Sequence, residues 1–284
     1  RRGGRHTESG VGVIIAHASD NTVVKNTIED FYYTGISVGW VWGYAGSVAQ
    51  RNQIGFNRIR KIGQRALSDM GGIYTLGTSF GTRLFNNVIS DIDSFSYGGW
   101  GIYPDEGSEG LTVENNLVYD TMDASLHQHY GRANVIRNNI FGFSRQCQVA
   151  VTRVESHLSM KVENNILYWQ SGDAFGTRYT GIKNGAQIEW RSNLWWCVES
   201  APRYNGATYA QWTSGGRDAG GAVADPLFVD VAGRDFRLRS ESPAFAMGFK
   251  SFDPAAAGAD LVVELPLPWC VSSAEGFAKG GVEL

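Results

Sequence analysis

The sequence predicts an all-β solenoid, a parallel β-helix of about seven coils, on three observations. First, an asparagine followed two places on by a large apolar residue recurs at Asn26/Ile28, Asn57/Ile59, Asn87/Ile89, Asn116/Val118, Asn139/Phe141, Asn165/Leu167 and Asn193/Trp195. Second, the spacing hardly drifts: successive asparagines lie 31, 30, 29, 23, 26 and 28 residues apart. A period of this size marks stacked repeats. Third, the stretches between them alternate in polarity, as in Gly35-Ile-Ser-Val-Gly39, Leu111-Thr-Val-Glu114 and Asn134-Val-Ile-Arg137, which is the pattern of strands.

The asparagine follows from the geometry of such a stack. Each coil lies on the one before at the inter-strand distance, so equivalent residues form columns. Asparagine at a bend bonds its own backbone and the amide above, and a column of asparagines becomes a ladder. It also tolerates the left-handed backbone that tight bends require. The apolar residue two places on returns to the interior, because side chains alternate with period two. A second asparagine precedes at 86, 115, 138 and 164, with Ser192 in that place in the last repeat. A propeller needs a longer period, and no leucine consensus appears.

A single elongated domain absorbs all 284 residues as repeats, with 36 glycines for the corners. The formal charge of −3 lacks the basic stripe of a nucleic-acid binder. No run of 18 apolar residues reads as a membrane span. Cys147, Cys197 and Cys270 have no metal-ligand spacing and suggest neither a disulfide framework nor a zinc site. The N-terminus has no apolar signal core and no cap for a solenoid end, so the chain reads as part of a longer polypeptide, extracellular or periplasmic. Nothing in the sequence bears on oligomeric state.

The coils occupy residues 1–197. The repeat then fades into a glycine-rich loop and two short strands around Asp225-Pro-Leu-Phe-Val-Asp230 and Asp235-Phe-Arg-Leu-Arg239, so 198–252 reads as a segment blunting the open C-terminal end of the sheets. Residues 253–284 carry no usable pattern.

Aligning coils by their asparagines sets Gly72-Ile-Tyr-Thr-Leu76 under Gly101-Ile-Tyr-Pro-Asp105, then Ser125-Leu-His-Gln-His129, then, with a shift of 26, Val151-Thr-Arg-Val-Glu155. Ile73, Ile102 and Leu126 make an inward column. The outward face then carries Tyr74, Tyr103, His127 and Arg153 in one column and Leu76, Asp105, His129 and Glu155 in the next. Ionisable residues gathered on a sheet of glycines and aliphatics read as an active-site groove. Asp69 precedes the Tyr74 strand, Glu106 adjoins Asp105, and Trp40 and Trp42 read as an aromatic wall, joined by Trp100. Asp69 and Asp105 lie toward opposite ends of neighbouring strands and meet only if Met70-Gly71-Gly72 folds back.

A lone carboxylate at such a bend is usually a solvated turn former, and His127 and His129 with Asp105 are also a conceivable metal chelate, though a third histidine is missing and Arg153 would repel the ion. A groove with aromatic walls and carboxylates suits a polysaccharide or oligosaccharide. Asp69, Asp105 and Glu106 are the candidate catalytic carboxyl groups, and Trp40, Trp42, Tyr74, Trp100, Tyr103, His127, His129, Arg153 and Glu155 the candidate substrate contacts. A hydrolase needs no cofactor. A polysaccharide lyase would instead abstract a proton alpha to a uronate carboxylate, with Arg153 and His127 as the neutralising and basic groups and often Ca²⁺. A non-catalytic glycan-binding β-helix is the third reading.

Gly35-Ile-Ser-Val-Gly-Trp-Val-Trp-Gly43, Leu67-Ser-Asp-Met-Gly-Gly-Ile-Tyr-Thr-Leu-Gly77, Gly98-Gly-Trp-Gly-Ile-Tyr-Pro-Asp-Glu-Gly107, His127-Gln-His-Tyr-Gly131 and Ala224-Asp-Pro-Leu-Phe-Val-Asp230 together resemble the right-handed parallel β-helix proteins of glycoside hydrolase family 141, over roughly residues 8–250. That resemblance implies activity of the α-L-fucosidase or xylanase kind on plant glycans, with an aspartate pair carried over to Asp69 and Asp105.

Overall fold

The computed structural model describes residues 1–259. Three long sheets of six, seven and eight strands run through them, and every strand pairing within these sheets is parallel. The chain visits the three in turn, so each sheet gains strands in chain order, as a parallel β-helix requires. The first sheet holds Val13–Ile15, Ile36–Gly39, Gly71–Leu76, Trp100–Pro104, Ala124–Gln128 and Cys147–Val151.

The ladder sits at the corner between the second and third sheets. From Asn26 to Asn193, each asparagine donates both its backbone N–H and its Nδ2 to the Oδ1 of the asparagine one coil on, at 2.9–3.1 Å. The ladder ends on a residue the repeat does not announce. Asn193 donates to Asp218 Oδ1 at 3.1 and 2.8 Å, and Trp195 Nε1 donates to Asp218 Oδ2 at 2.8 Å. The left-handed backbone belongs not to the ladder asparagines but to the residue before each: Lys25, Phe56, Asn86, Asn115, Asn138, Asn164 and Ser192 have φ between 52° and 57°. That explains the doubled asparagine, since asparagine is among the few side chains comfortable there. Two residues on, Ile28, Ile59, Ile89, Val118, Phe141, Leu167 and Trp195 stack in register inside the core.

The C-terminal segment does two jobs. Tyr204 and Trp212 stack at 4.6 Å against Trp195 and Phe175 and close the core at its end. Beyond them, the antiparallel hairpin Phe228–Asp230/Asp235–Leu238 and the turn Pro243–Ala246 turn back along the outer face of the third sheet. There Phe228, Phe236 and Phe249 cover Val88, Leu117, Ile140, Ile166 and Leu194. The hairpin thus lies on a sheet face rather than over the open end, because that face is apolar and would otherwise meet water. The first part of the patternless tail continues this path: Arg58 donates to the carbonyls of Pro254 and Ala257, and Gly258 N–H to Phe56. Residues 260–284, with Cys270, lie outside the described residues. Cys147 and Cys197 are buried free thiols.

Candidate active site

On the first sheet, Ile36, Ile73, Ile102, Leu126 and Val149 stack in one inward column. The next position points outward and reads Ser37, Tyr74, Tyr103, His127, Ala150. The alignment therefore holds through His127 and fails one coil later, where Ala150 and not Arg153 stands on His127. The strand after Asn139 inherits the 23-residue spacing that precedes it; the three residues added in the following coil fall beyond the strand, in the loop 152–159.

That slip removes two predicted contacts. Arg153 projects from the loop and stacks its guanidinium on the Tyr130 ring at 4.3 Å. Glu155 accepts a hydrogen bond from the Tyr44 hydroxyl and lies 3.1 Å from His157 Nε2, tying this loop to the one around residue 44. Neither lines the cleft described next. Nor do the tryptophans proposed as a wall: Trp40 packs on Tyr74, and Trp42, 59% exposed, meets Trp40 edge-on. Tyr74 is buried beneath the site.

The remaining candidates converge. A cleft of about 270 Å³ is lined by Asp69, Trp100, Tyr103, Asp105, Glu106, His127 and His129, together with Tyr97, Thr152, Arg178 and Tyr179. It is compact rather than a long groove. Roomier hollows lie at the end of the second sheet and under the hairpin, about 380 and 550 Å³, but neither gathers aromatic rings and unpaired buried polar atoms.

Asp69 and Asp105 line the same cleft, each held by its own tyrosine. Tyr103 Oη donates to Asp69 Oδ1 at 3.0 Å. No backbone folds back: Gly71 and Gly72 are in the strand, Met70 points into the core, and Asp69 turns in with φ 57°. The Tyr33 hydroxyl fixes the Asp69 carbonyl at 3.0 Å. Asp105 takes a hydrogen bond from Tyr74 Oη to its Oδ2 at 2.7 Å. Burial, and then the negative charge of Asp105, hold the Asp69 carboxyl above the ordinary aspartate range, against the opposing Tyr103 hydrogen bond. Burial and the same two carboxylates push the Tyr103 hydroxyl far up, so it stays a donor. Glu106 accepts from Tyr130 Oη at 3.3 Å and lies 4.0 Å from His129 Nε2.

His127 is sealed. Its ring stacks between Tyr103 at 4.9 Å and Tyr179 at 5.0 Å, with Trp100 at 4.2 Å. Burial pushes its basicity well down, so the ring is neutral. Nε2 meets Thr152 Oγ1 at 2.6 Å, while Nδ1 has no partner among the described residues. With Arg153 elsewhere and His127 enclosed, the two residues weighed for a lyase do not act together.

Asp123 escaped the sequence reading. It is fully buried at the start of the His127 strand, takes the Tyr179 hydroxyl on Oδ2 at 2.5 Å, and is pushed up to about 6 by burial. Its Oδ1 has no partner among the described residues. Arg178 and Tyr179 come from 170–187, where no regular strand joins the first sheet. Gly181 N–H nonetheless bonds Val151 O at 2.9 Å, so this stretch takes the place of the next strand. The small Ala150 leaves room for Tyr179 to lean over it onto His127. The signal was the absence of an alternating stretch between the strands Ile166–Trp169 and Ile188–Arg191, where earlier coils place a first-sheet strand.

Among the described residues no group of three or more His, Cys, Asp or Glu side chains is placed to hold a metal ion, and no helix is long and apolar enough to cross a membrane.

No family model matches the chain. No curated protein matches it. A solved structure named glycoside hydrolase is similar over 63% of this chain at 20% identity with a TM-score of 0.37. This chain spans 24% of that protein's length, and the likeness is too distant to carry an activity across.

Proposed function

We propose that the chain is a glycoside hydrolase of a plant-type glycan, with Asp69 and Asp105 as its carboxyl pair. The observation that carries this reading is the gathering of two carboxyl groups, Asp69 held by the Tyr103 hydroxyl and Asp105 by the Tyr74 hydroxyl, in one cleft walled by Trp100, Tyr97 and Tyr179. Aromatic rings take the apolar faces of a sugar, and two carboxyl groups are the chemical requirement for cleaving its glycosidic bond. Asp69, raised by burial and by its neighbour's charge, is the acid that protonates the leaving glycosidic oxygen. Asp105, oriented by Tyr74, is the carboxylate on which water or the anomeric carbon is activated, as the carboxyl separation dictates. Glu106, bound to Tyr130, helps to shape the cleft.

The test is product analysis on a panel of plant cell-wall glycans. New reducing ends without ultraviolet-absorbing unsaturated products are expected. Asp69→Asn and Asp105→Asn should each cut turnover by several orders of magnitude with the fold intact, and Glu106→Gln by less than about tenfold. Unsaturated products, or full activity in both aspartate variants, would end the reading.

A further inference from the structure

Three carboxyl groups line the cleft, and each already has a partner: Asp69 with Tyr103, Asp105 with Tyr74, Glu106 with Tyr130. Across from them stands a cation in the opposite condition. The Arg178 guanidinium reaches the cleft with its side chain 42% exposed. Its nearest carboxylate oxygen, Asp123 Oδ2, is 3.8 Å from Nη1, beyond hydrogen-bond range, and is occupied by the Tyr179 hydroxyl. The Tyr97 and Tyr179 rings lie 5.9 and 5.7 Å from it, at the outer limit of a cation–π contact. Among the described residues Arg178 has no hydrogen-bond partner.

Its position is nevertheless fixed. Tyr179, next in the chain, is wedged over Ala150, stacked on His127 and bonded to buried Asp123. A guanidinium carries five N–H donors and no acceptor, in a planar fork that fits an oxyanion two bonds at a time.

We infer that Arg178 is a specificity-determining residue that anchors an anionic sugar unit, bearing a carboxylate or a sulfate ester, in the cleft. The inference rests on the glycan reading above and narrows its substrate class. It also fixes orientation. An anionic group is repelled by the Asp105 and Glu106 carboxylates and drawn to Arg178, which turns the rest of the sugar toward the carboxyl pair. Asp123 does not cancel the attraction: its carboxyl is pushed up to about 6 by burial, so its charge is lost in mildly acidic solution while Arg178 keeps its own.

The experiment is titration calorimetry of the full chain with three short oligosaccharides: a uronic acid oligomer, the same oligomer methyl-esterified, and a neutral oligomer carrying sulfate esters. At least one anionic ligand should bind 10-fold or more tightly than the ester. Arg178→Gln should bring it to the ester's Kd while leaving the ester's own Kd within about twofold, and Arg178→Lys should recover part of the loss. The anionic ligand that shows this pattern identifies the group. Neither anionic ligand binding more tightly than the ester, or an Arg178→Gln variant that weakens the anionic ligand and the ester alike, overturns the inference and leaves the glycan reading standing. No binding of any glycan, neutral ones included, overturns that reading and the inference with it. Unchanged thermal melting of both variants excludes unfolding as the cause.

Discussion

The asparagine corner and the outward column of the first sheet are built on the same backbone and use it to opposite ends. At the corner, identical side chains stand at identical positions, and each satisfies its neighbours. Asn116, fully buried, takes two hydrogen bonds from Asn87 and gives others to Leu84 O, Glu114 O and Asn139. On the outward column the register is just as regular, but the side chains change at every step from Ser37 through two tyrosines to His127 and Ala150. Repetition leaves nothing over, whereas variation leaves His127 Nδ1, Asp123 Oδ1 and the Arg178 donors without partners. Unpaired buried polar atoms are costly, and three of them, Trp100 Nε1, His127 Nδ1 and Asp123 Oδ1, stand at or beside this cleft, which sets it apart from the ladder.

That contrast breaks most readily at the corner. Asn116→Ala removes a residue whose donors and acceptors all serve buried partners and should cost about 1–3 kcal/mol in urea denaturation. Asn26→Ala, at the half-buried first rung, should cost about 1 kcal/mol. Equal effects would mean that the ladder is not a chain of mutually dependent bonds. The column side is probed by pH. Asp123 is raised in the folded protein, so its contribution is full below the ordinary aspartate value and is lost as pH rises through about 6. Between pH 4 and 7 the natural protein should lose about 2 kcal/mol of stability relative to Asp123→Asn. Parallel curves for the two would place that carboxyl in a wetter setting. Ala150→Leu fills the gap that Tyr179 crosses and should cost about 1–3 kcal/mol by overpacking. It should also weaken glycan binding, because Tyr179 can no longer rest on His127. The smallest effect belongs to Trp42→Ala, under about 0.5 kcal/mol, since that ring is largely in water and lines no part of the cleft.

What was legible in the sequence follows the same division. The ladder could be read because a column of equal bonds needs equal residues at equal spacing, and strand alternation then placed Tyr103, Asp105, His127 and His129 on one face. The reading slipped at Arg153 and Glu155, because a spacing between asparagines does not say on which side of a strand the added residues fall. Asp123, Arg178 and Tyr179 were out of reach for another reason. They act where the repeat is interrupted, and their meeting depends on Ala150 being small, which no periodicity reports. The sharing of one cleft by Asp69 and Asp105 was hidden too, since it depends on the reach of the Tyr103 and Tyr74 side chains and not on the backbone.

The last rung of the ladder has a consequence of its own. Each ladder asparagine from Asn57 on turns one Nδ2 hydrogen back to a carbonyl of the preceding coil and sends its other donors forward, so the forward donors of the last rung must meet an acceptor. An asparagine there would hand the demand on to yet another coil. Asp218 accepts from Asn193, Trp195 and Tyr209 and carries no side-chain N–H to pass forward. The register sets Gly221 opposite Asn193, so the carboxylate that gives the stack its full stop reaches in from three residues earlier in the chain.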